Sequence, residues 1–281
     1  MTFVRPENVE DALLQLSRSQ WQILAGGTDF FPGLRDRPAD GPIMDITGLQ
    51  DLSKIREDQN FWRIGANATW SDLMAADLPR AFDGLKLAAR EVGSLQIQNR
   101  ATVVGNICNA SPAADGVPPL LTLDAEVELA STNGIRRVCL SDFIVGNRVT
   151  LRGADELVTA VLVPKEAAVG QSSFLKLGAR RYLVISIAMI ACRLVSDSAN
   201  RLSAVAVSVG ACSAVAVRLR ALEKRLTGLP LTEDLASEIK PSDLSDLAPI
   251  DDVRSTASYR LAAARALVTR ALAMAAQECR A

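Results

Sequence analysis

The chain alternates short apolar runs with amphipathic stretches. After Pro6, Asn8 can cap a helix on which Val9, Ala12, Leu13 and Leu16 recur at helical spacing. Gln22-Ile23-Leu24 predicts a short strand running into Ala25-Gly26-Gly27-Thr28-Asp29, with a helical turn from Phe30 to Arg35. Ile43 to Ile46 and Phe61 to Ala66 predict two further strands, and Thr69 opens a helix with Ser71 and Asp72 in its first turn. Leu85 to Val92 predicts another helix, closed by Gly93. From there to about Ser111 the pattern is irregular, broken by Gly105, Asn106 and Asn109. Glu126-Val127-Glu128-Leu129 alternates as a half-buried strand should, and Leu157 to Val163 predicts a strand stopped by Pro164.

Lys165 to Ser173 is polar and small, the best linker in the chain. Beyond it, Phe174 to Leu177 and Ser186 to Leu194 begin a second unit. Leu202 to Val217, with Gly210 inside, suits paired strands. Val253 to Cys279 predicts a long helix whose Arg260, Arg265 and Arg270 form a solvated or subunit-facing stripe. The pattern thus predicts a mixed α/β N-terminal region and a smaller α+β C-terminal one.

Length agrees: 281 residues correspond to about two domains, and such a chain needs no disulfide or metal staples. A formal net charge of −1 argues against nucleic acid as the main partner, because phosphate binding wants a basic face. Met1 to Pro6 has no basic region followed by an apolar run, and the longest uncharged apolar stretch, Tyr182 to Cys192, is too short to span a bilayer. These features predict a cytoplasmic protein with reduced thiols.

Chemistry is constrained more sharply by what is missing. The sequence has no histidine, and its five cysteines include no C-x-x-C pair. Imidazole relays are therefore excluded, and a metal or iron–sulfur centre held by this chain is not expected. No catalytic residue and no metal ligand is assigned. Cys108 is expected to be a small buried hydrophobe, Cys192 and Cys212 core residues, and Trp21, Trp62 and Trp70 core or interface residues.

Two segments carry candidate binding chemistry. In Leu24-Ala25-Gly26-Gly27-Thr28-Asp29, adjacent glycines after a strand allow close backbone approach and can aim N–H groups at an anion. The same geometry also serves a plain strand-to-helix turn. In Ala101 to Asp115, the polar groups of Thr102, Asn106, Asn109, Ser111 and Asp115 crowd between apolar residues. They can bind a polyhydroxyl or heterocyclic ligand, or satisfy their own loop backbone.

Taken together, Ala25-Gly26-Gly27-Thr28-Asp29 and the later T-x-x-G-N-x-x-x-A-S-P-x-x-D segment resemble the FAD-binding subunits of the molybdenum hydroxylases, the xanthine dehydrogenase and carbon monoxide dehydrogenase flavoproteins. Ile64-Gly65-Ala66-Asn67-Ala68-Thr69, Val92-Gly93-Ser94, Glu156-Leu157, Val163-Pro164, Phe174-x-Lys176 and Tyr259-Arg260 continue the resemblance over nearly the whole chain. It implies an α+β fold: a two-part FAD-binding domain of the vanillyl-alcohol-oxidase (PCMH) type over residues 1–168, with subdomains of about 1–57 and 58–168. A smaller α+β domain of the carbon monoxide dehydrogenase flavoprotein type would follow over 169–281. The implied cofactor-binding set is Leu24, Ala25, Gly26, Gly27, Thr28, Asp29, Ala101, Thr102, Gly105, Asn106, Ser111, Asp115, Val158 and Lys176. Asp29, Asp115 and Lys176 are the charged groups among them.

The resemblance further implies FAD as cofactor, with 2Fe-2S clusters and molybdopterin on partner subunits, and NAD+ or another molecule as electron acceptor. Two positions depart from the family pattern: Val104 where a glycine is usual, and Gln98 where an arginine is usual. The alternatives are a stand-alone flavin oxidoreductase of the same fold, related to the cell-wall precursor reductase, and a scaffold subunit that has lost its flavin through Val104.

Overall fold

A computed structural model describes residues 2–231 and 235–280. Its first layer is a small parallel sheet of β1 (Phe3–Val4), β2 (Gln22–Leu24) and β3 (Ile43–Asp45), in the order β1-β3-β2. Helix α1 (Val9–Arg18) leads into β2. Its Asn8 cap accepts from the Asp11 N–H at 2.8 Å, and Ala12 and Leu16 face the core. The short α2 (Phe30–Leu34) follows the glycine pair.

The second sheet begins with β4 (Ile55–Glu57) and β5 (Phe61–Gly65). Five helices follow: α3 (Trp70–Ala75), α4 (Asp83–Glu91), α5 (Leu95–Gln98), α6 (Val103–Asn109) and α7 (Val117–Thr122). Thr69 and Asp72 build a reciprocal capping box on α3. The chain then returns through β6 (Glu126–Ser131), β7 (Gly134–Cys139), α8 (Leu140–Phe143), the hairpin β8 (Ile144–Gly146) and β9 (Val149–Thr150), and β10 (Leu157–Pro164). The sheet order is β4-β5-β10-β6-β7, with β10 antiparallel to both neighbours.

The C-terminal domain is an antiparallel sheet of β11 (Gln171–Leu177), β12 (Ala188–Ser196), β13 (Leu202–Gly210) and β14 (Val217–Arg218), flanked by α9 (Arg220–Leu226) and α10 (Ala257–Arg280). Ala264, Leu267, Val268, Ala271, Leu272, Ala275 and Ala276 recur at helical spacing and bury α10 against this sheet. The hydroxyl of Ser173 donates to the Ala271 carbonyl at 2.9 Å across that contact. The domains meet along a polar seam. Gly84 N–H donates to Ser172 Oγ at 2.8 Å, Arg193 Nε to the Thr122 carbonyl at 2.8 Å, and Arg218 Nη1 to the Leu121 carbonyl at 2.6 Å.

Four sequence expectations change. The stretch from Gly93 to Ser111 is not irregular: Ser94 caps α5 and Thr102 caps α6, so residues read as breakers lie inside a short helix. The linker is shorter than Lys165 to Ser173, because Lys165–Ala167 forms a 3-10 turn and β11 begins at Gln171. Glu128 is not on a solvated face. It is buried, paired with Arg63 at 2.6 Å and bonded by Thr159 Oγ1 at 2.7 Å. The last helix starts at Ala257, and Arg260 leaves the exposed stripe: it is buried and donates to the carbonyls of Ile187 and Ala211 and to Asp252.

Candidate functional site

The two motif segments meet in three dimensions. The carbonyl of Arg100 presses against the Cα of Gly26, leaving no room for a Cβ there, and Gly27 adopts a left-handed φ of +73°. The glycine pair is thus required first by contact between the two segments and by the turn itself. The second segment is in turn stitched to the start of α3. Trp70 N–H donates to the Ala101 carbonyl at 3.1 Å, and Val103 N–H to the Ala68 carbonyl at 3.0 Å.

Around this junction lies a cleft of about 580 Å³, within the range of about 300–1,000 Å³ typical of ligand sites. Ten of the fourteen residues expected to bind cofactor line it: Ala25, Gly26, Gly27, Thr28, Asp29, Ala101, Thr102, Gly105, Asn106 and Val158. The other four stand behind or beside it. Leu24 is buried and accepts from the Ile46 N–H at 2.9 Å, while Ser111 Oγ accepts from the Ala113 N–H at 3.3 Å. Asp115 and Lys176 form a buried ion pair of 2.6 Å on the domain seam, with Ser186 Oγ donating to the same carboxylate at 2.6 Å. Burial pushes the Asp115 carboxyl up, against the pull of the Lys176 charge and the hydrogen bonds from Lys176 and Ser186.

Several lining residues carry no recognisable sequence signal. Trp21 and Trp70 line the cleft and are not merely core, and the apolar walls include Ile97 and Leu157. Val104 lines it too, while remaining 3% exposed and packed into the core. Cys108 is on the same wall, where burial pushes its thiol up to about 11, an unreactive value at neutral pH. Arg148, on the turn between β8 and β9, spans both motifs by donating to Asp29 Oδ2 at 3.0 Å and to Asn109 Oδ1. Arg152 lines the wall beyond it.

The cleft fits FAD. Among the described residues no protein acceptor is found for the N–H groups of Gly26, Gly27, Thr28 and Asp29, so these donors are free for a diphosphate. The buried Trp70 indole N–H has no protein partner. Indole and aliphatic walls suit a ring system, and the Asn106 and Thr102 side chains border them. Among the described residues there is no cluster of three His, Cys, Asp or Glu side chains able to hold a metal ion, and no helix long and apolar enough to cross a membrane.

Comparison with known proteins agrees with this geometry. Residues 1–166 match the FAD binding domain in molybdopterin dehydrogenase, and residues 173–275 the CO dehydrogenase flavoprotein C-terminal domain. The chain is 33% identical over 247 residues to the nicotinate dehydrogenase FAD-subunit of Eubacterium barkeri, covering 85% of this chain and 83% of that protein. It is 30% identical to the glyceraldehyde dehydrogenase medium chain of Sulfolobus acidocaldarius, covering 96% of both. A chain of the carbon monoxide dehydrogenase from Hydrogenophaga pseudoflava superposes with a TM-score of 0.90 at 26% identity, covering 99% of this chain and 98% of that one. With both domains matched in order and the cleft lying inside the first, the chain belongs to the FAD-binding medium subunits of the molybdenum hydroxylase family.

Proposed function

We propose that this chain is the flavin relay of a molybdopterin-dependent hydroxylase or dehydrogenase complex. In this reading it takes electrons from 2Fe-2S clusters on one partner subunit and passes them to NAD+ or another acceptor. A large molybdopterin subunit oxidises the substrate. The observation that carries the reading is the cleft in which both motif segments meet, lined by backbone N–H groups with no protein acceptor and by indole and aliphatic side chains. A bound FAD supplies the redox chemistry, accepting and releasing electrons one or two at a time.

The chain's own residues bind and orient. The N–H groups from Gly26 to Asp29 would hold the diphosphate, and Thr102, Gly105 and Asn106 would hold the flavin and its sugar hydroxyls. Val158 contributes to the apolar wall. Asp115 and Lys176 position the second motif from behind, since their ion pair ties residue 115 to β11 of the C-terminal domain. Residues 1–168 hold the cofactor, and residues 169–281 buttress it toward the partners. A cytoplasmic location goes with that assembly.

The test is co-expression with small 2Fe-2S and large molybdopterin subunits of this family, followed by the visible spectrum of the purified complex. The two absorption bands of an oxidised flavin, bleached on adding the substrate of the complex, are expected. A complex without them would sink the proposal.

A further inference from the structure

Two charged side chains line the cleft, Asp29 and Arg152. Asp29 is answered by Arg148 at 3.0 Å. Arg152 makes no ion pair, although the Glu156 carboxylate feels its charge. Among the described residues no carboxylate lies within ion-pair distance of it. The neighbouring Glu156 carboxylate is already committed. It takes Arg136 through both oxygens, at 2.5 Å and 2.8 Å, and the Gly153 N–H at 2.6 Å.

The Arg152 guanidinium is nevertheless held in place. Its Nη1 donates to the carbonyls of Gly153 at 3.0 Å and Glu156 at 2.8 Å. Nε and Nη2 have no protein acceptor among the described residues. The result is a half-buried, pre-oriented cation on the wall of a cleft that is otherwise close to neutral. Its field reaches the Cys108 thiol on the same wall.

A fixed guanidinium with two free donor directions is complementary to phosphate oxygens. Oxidised FAD at neutral pH carries its charge on the diphosphate alone, its two ring systems being neutral. The backbone donors from Gly26 to Asp29 bring dipoles to that diphosphate but no net charge. We infer that Arg152, which lies outside both sequence motifs, binds the cofactor diphosphate and supplies the counter-charge that the glycine-rich loop lacks. The inference rests on the reading of the cleft as an FAD site.

The test uses the full chain stripped of flavin, and measures affinity for FAD, ADP and riboflavin in wild type, Arg152→Gln and Arg152→Lys. Loss of a charged hydrogen-bonding partner predicts FAD and ADP binding about 10- to 100-fold weaker in Arg152→Gln, with Arg152→Lys in between. Riboflavin, which has no phosphate, should bind all three proteins equally, and that equality also reports an intact cleft. The FAD affinity of the wild type should fall more steeply with salt than that of Arg152→Gln.

Equal ADP affinity in wild type and Arg152→Gln would overturn the inference. So would a riboflavin affinity that falls along with that for FAD, which would place the guanidinium at the isoalloxazine. A wild-type chain that binds no FAD at all would overturn the functional reading, and this inference with it. That result is seen without any variant, so the two failures are distinguishable.

Discussion

The carbonyl oxygen of Arg100 occupies the space that a side chain on Gly26 would need. The glycine-rich turn and the turn between α5 and α6 therefore touch backbone to backbone. A methyl group at residue 26 must push them apart, at a cost of about 1–3 kcal/mol. Gly26→Ala should lower the melting temperature and the flavin content of the purified protein together. Gly33→Ala, inside α2, adds a Cβ with nothing within 4 Å and should lower neither. Scanning fluorimetry and the ratio of flavin to protein absorbance check the pair.

The Asp115–Lys176 pair is buried on both sides, with side chains 8% and 7% exposed. Removing one partner strands the other charge, so Asp115→Ala should destabilise by about 3–5 kcal/mol. Replacing both with apolar residues should recover a large part of that loss. Urea unfolding of the two single variants and the double variant measures the coupling. A double variant as unstable as the sum of the singles would refute the pairing.

Val104 bears on whether the site is intact. It packs into the core while lining the cleft, so its methyl groups serve the fold as well as shaping the wall. Val104→Gly should cost roughly 2–4 kcal/mol, from lost packing and from glycine inside α6, with no gain in flavin occupancy. A large gain in bound flavin would favour the scaffold alternative, in which valine had closed a former site.

Asp252 fixes the entry to α10. The N–H of Arg254 and the guanidinium of Arg260, at 2.7 Å, hold its carboxyl down to about 2 from an ordinary 3.8. A carboxyl depressed in the folded state stabilises it above the unfolded value and loses that effect as pH falls through the folded one. Melting temperature should therefore drop between pH 3.8 and about 2 in the wild type. Asp252→Asn should be less stable at neutral pH and flatter across that window.

Local signals in the sequence were good guides to elements whose periodicity or caps declare them. The strand at Gln22–Leu24 and the Asn8 and Thr69 caps are examples. The segment around Thr102 was harder. Gly105 and Asn106 argue against a helix locally, yet the Thr102 cap and the stitching to Ala68 and Trp70 stabilise one. Arg260 followed the same logic in reverse: charge predicts exposure, but the carbonyls of Ile187 and Ala211 come from 73 and 49 residues away. Of the cleft, the motif residues were legible. Trp21, Trp70 and Arg152 were not, because their place on the wall is set by sheet order and by a turn far along the chain. An unpaired guanidinium is visible only once its neighbours are known to be committed elsewhere.

The central strand of the five-stranded sheet also sets a schedule for synthesis. Strands β4–β5 and β6–β7 are local hairpins, but β10, which joins them, is the last of the five to leave the ribosome. Until residue 164 has emerged the nascent chain holds two unjoined ribbons with open edges, the kind of surface that chaperones shield. Leu157 and Val158, which close one wall of the cleft, arrive on that same strand. Cofactor capture must therefore wait until more than half of the polypeptide has been made, so flavin supply acts on a nearly finished domain and not on its first motif.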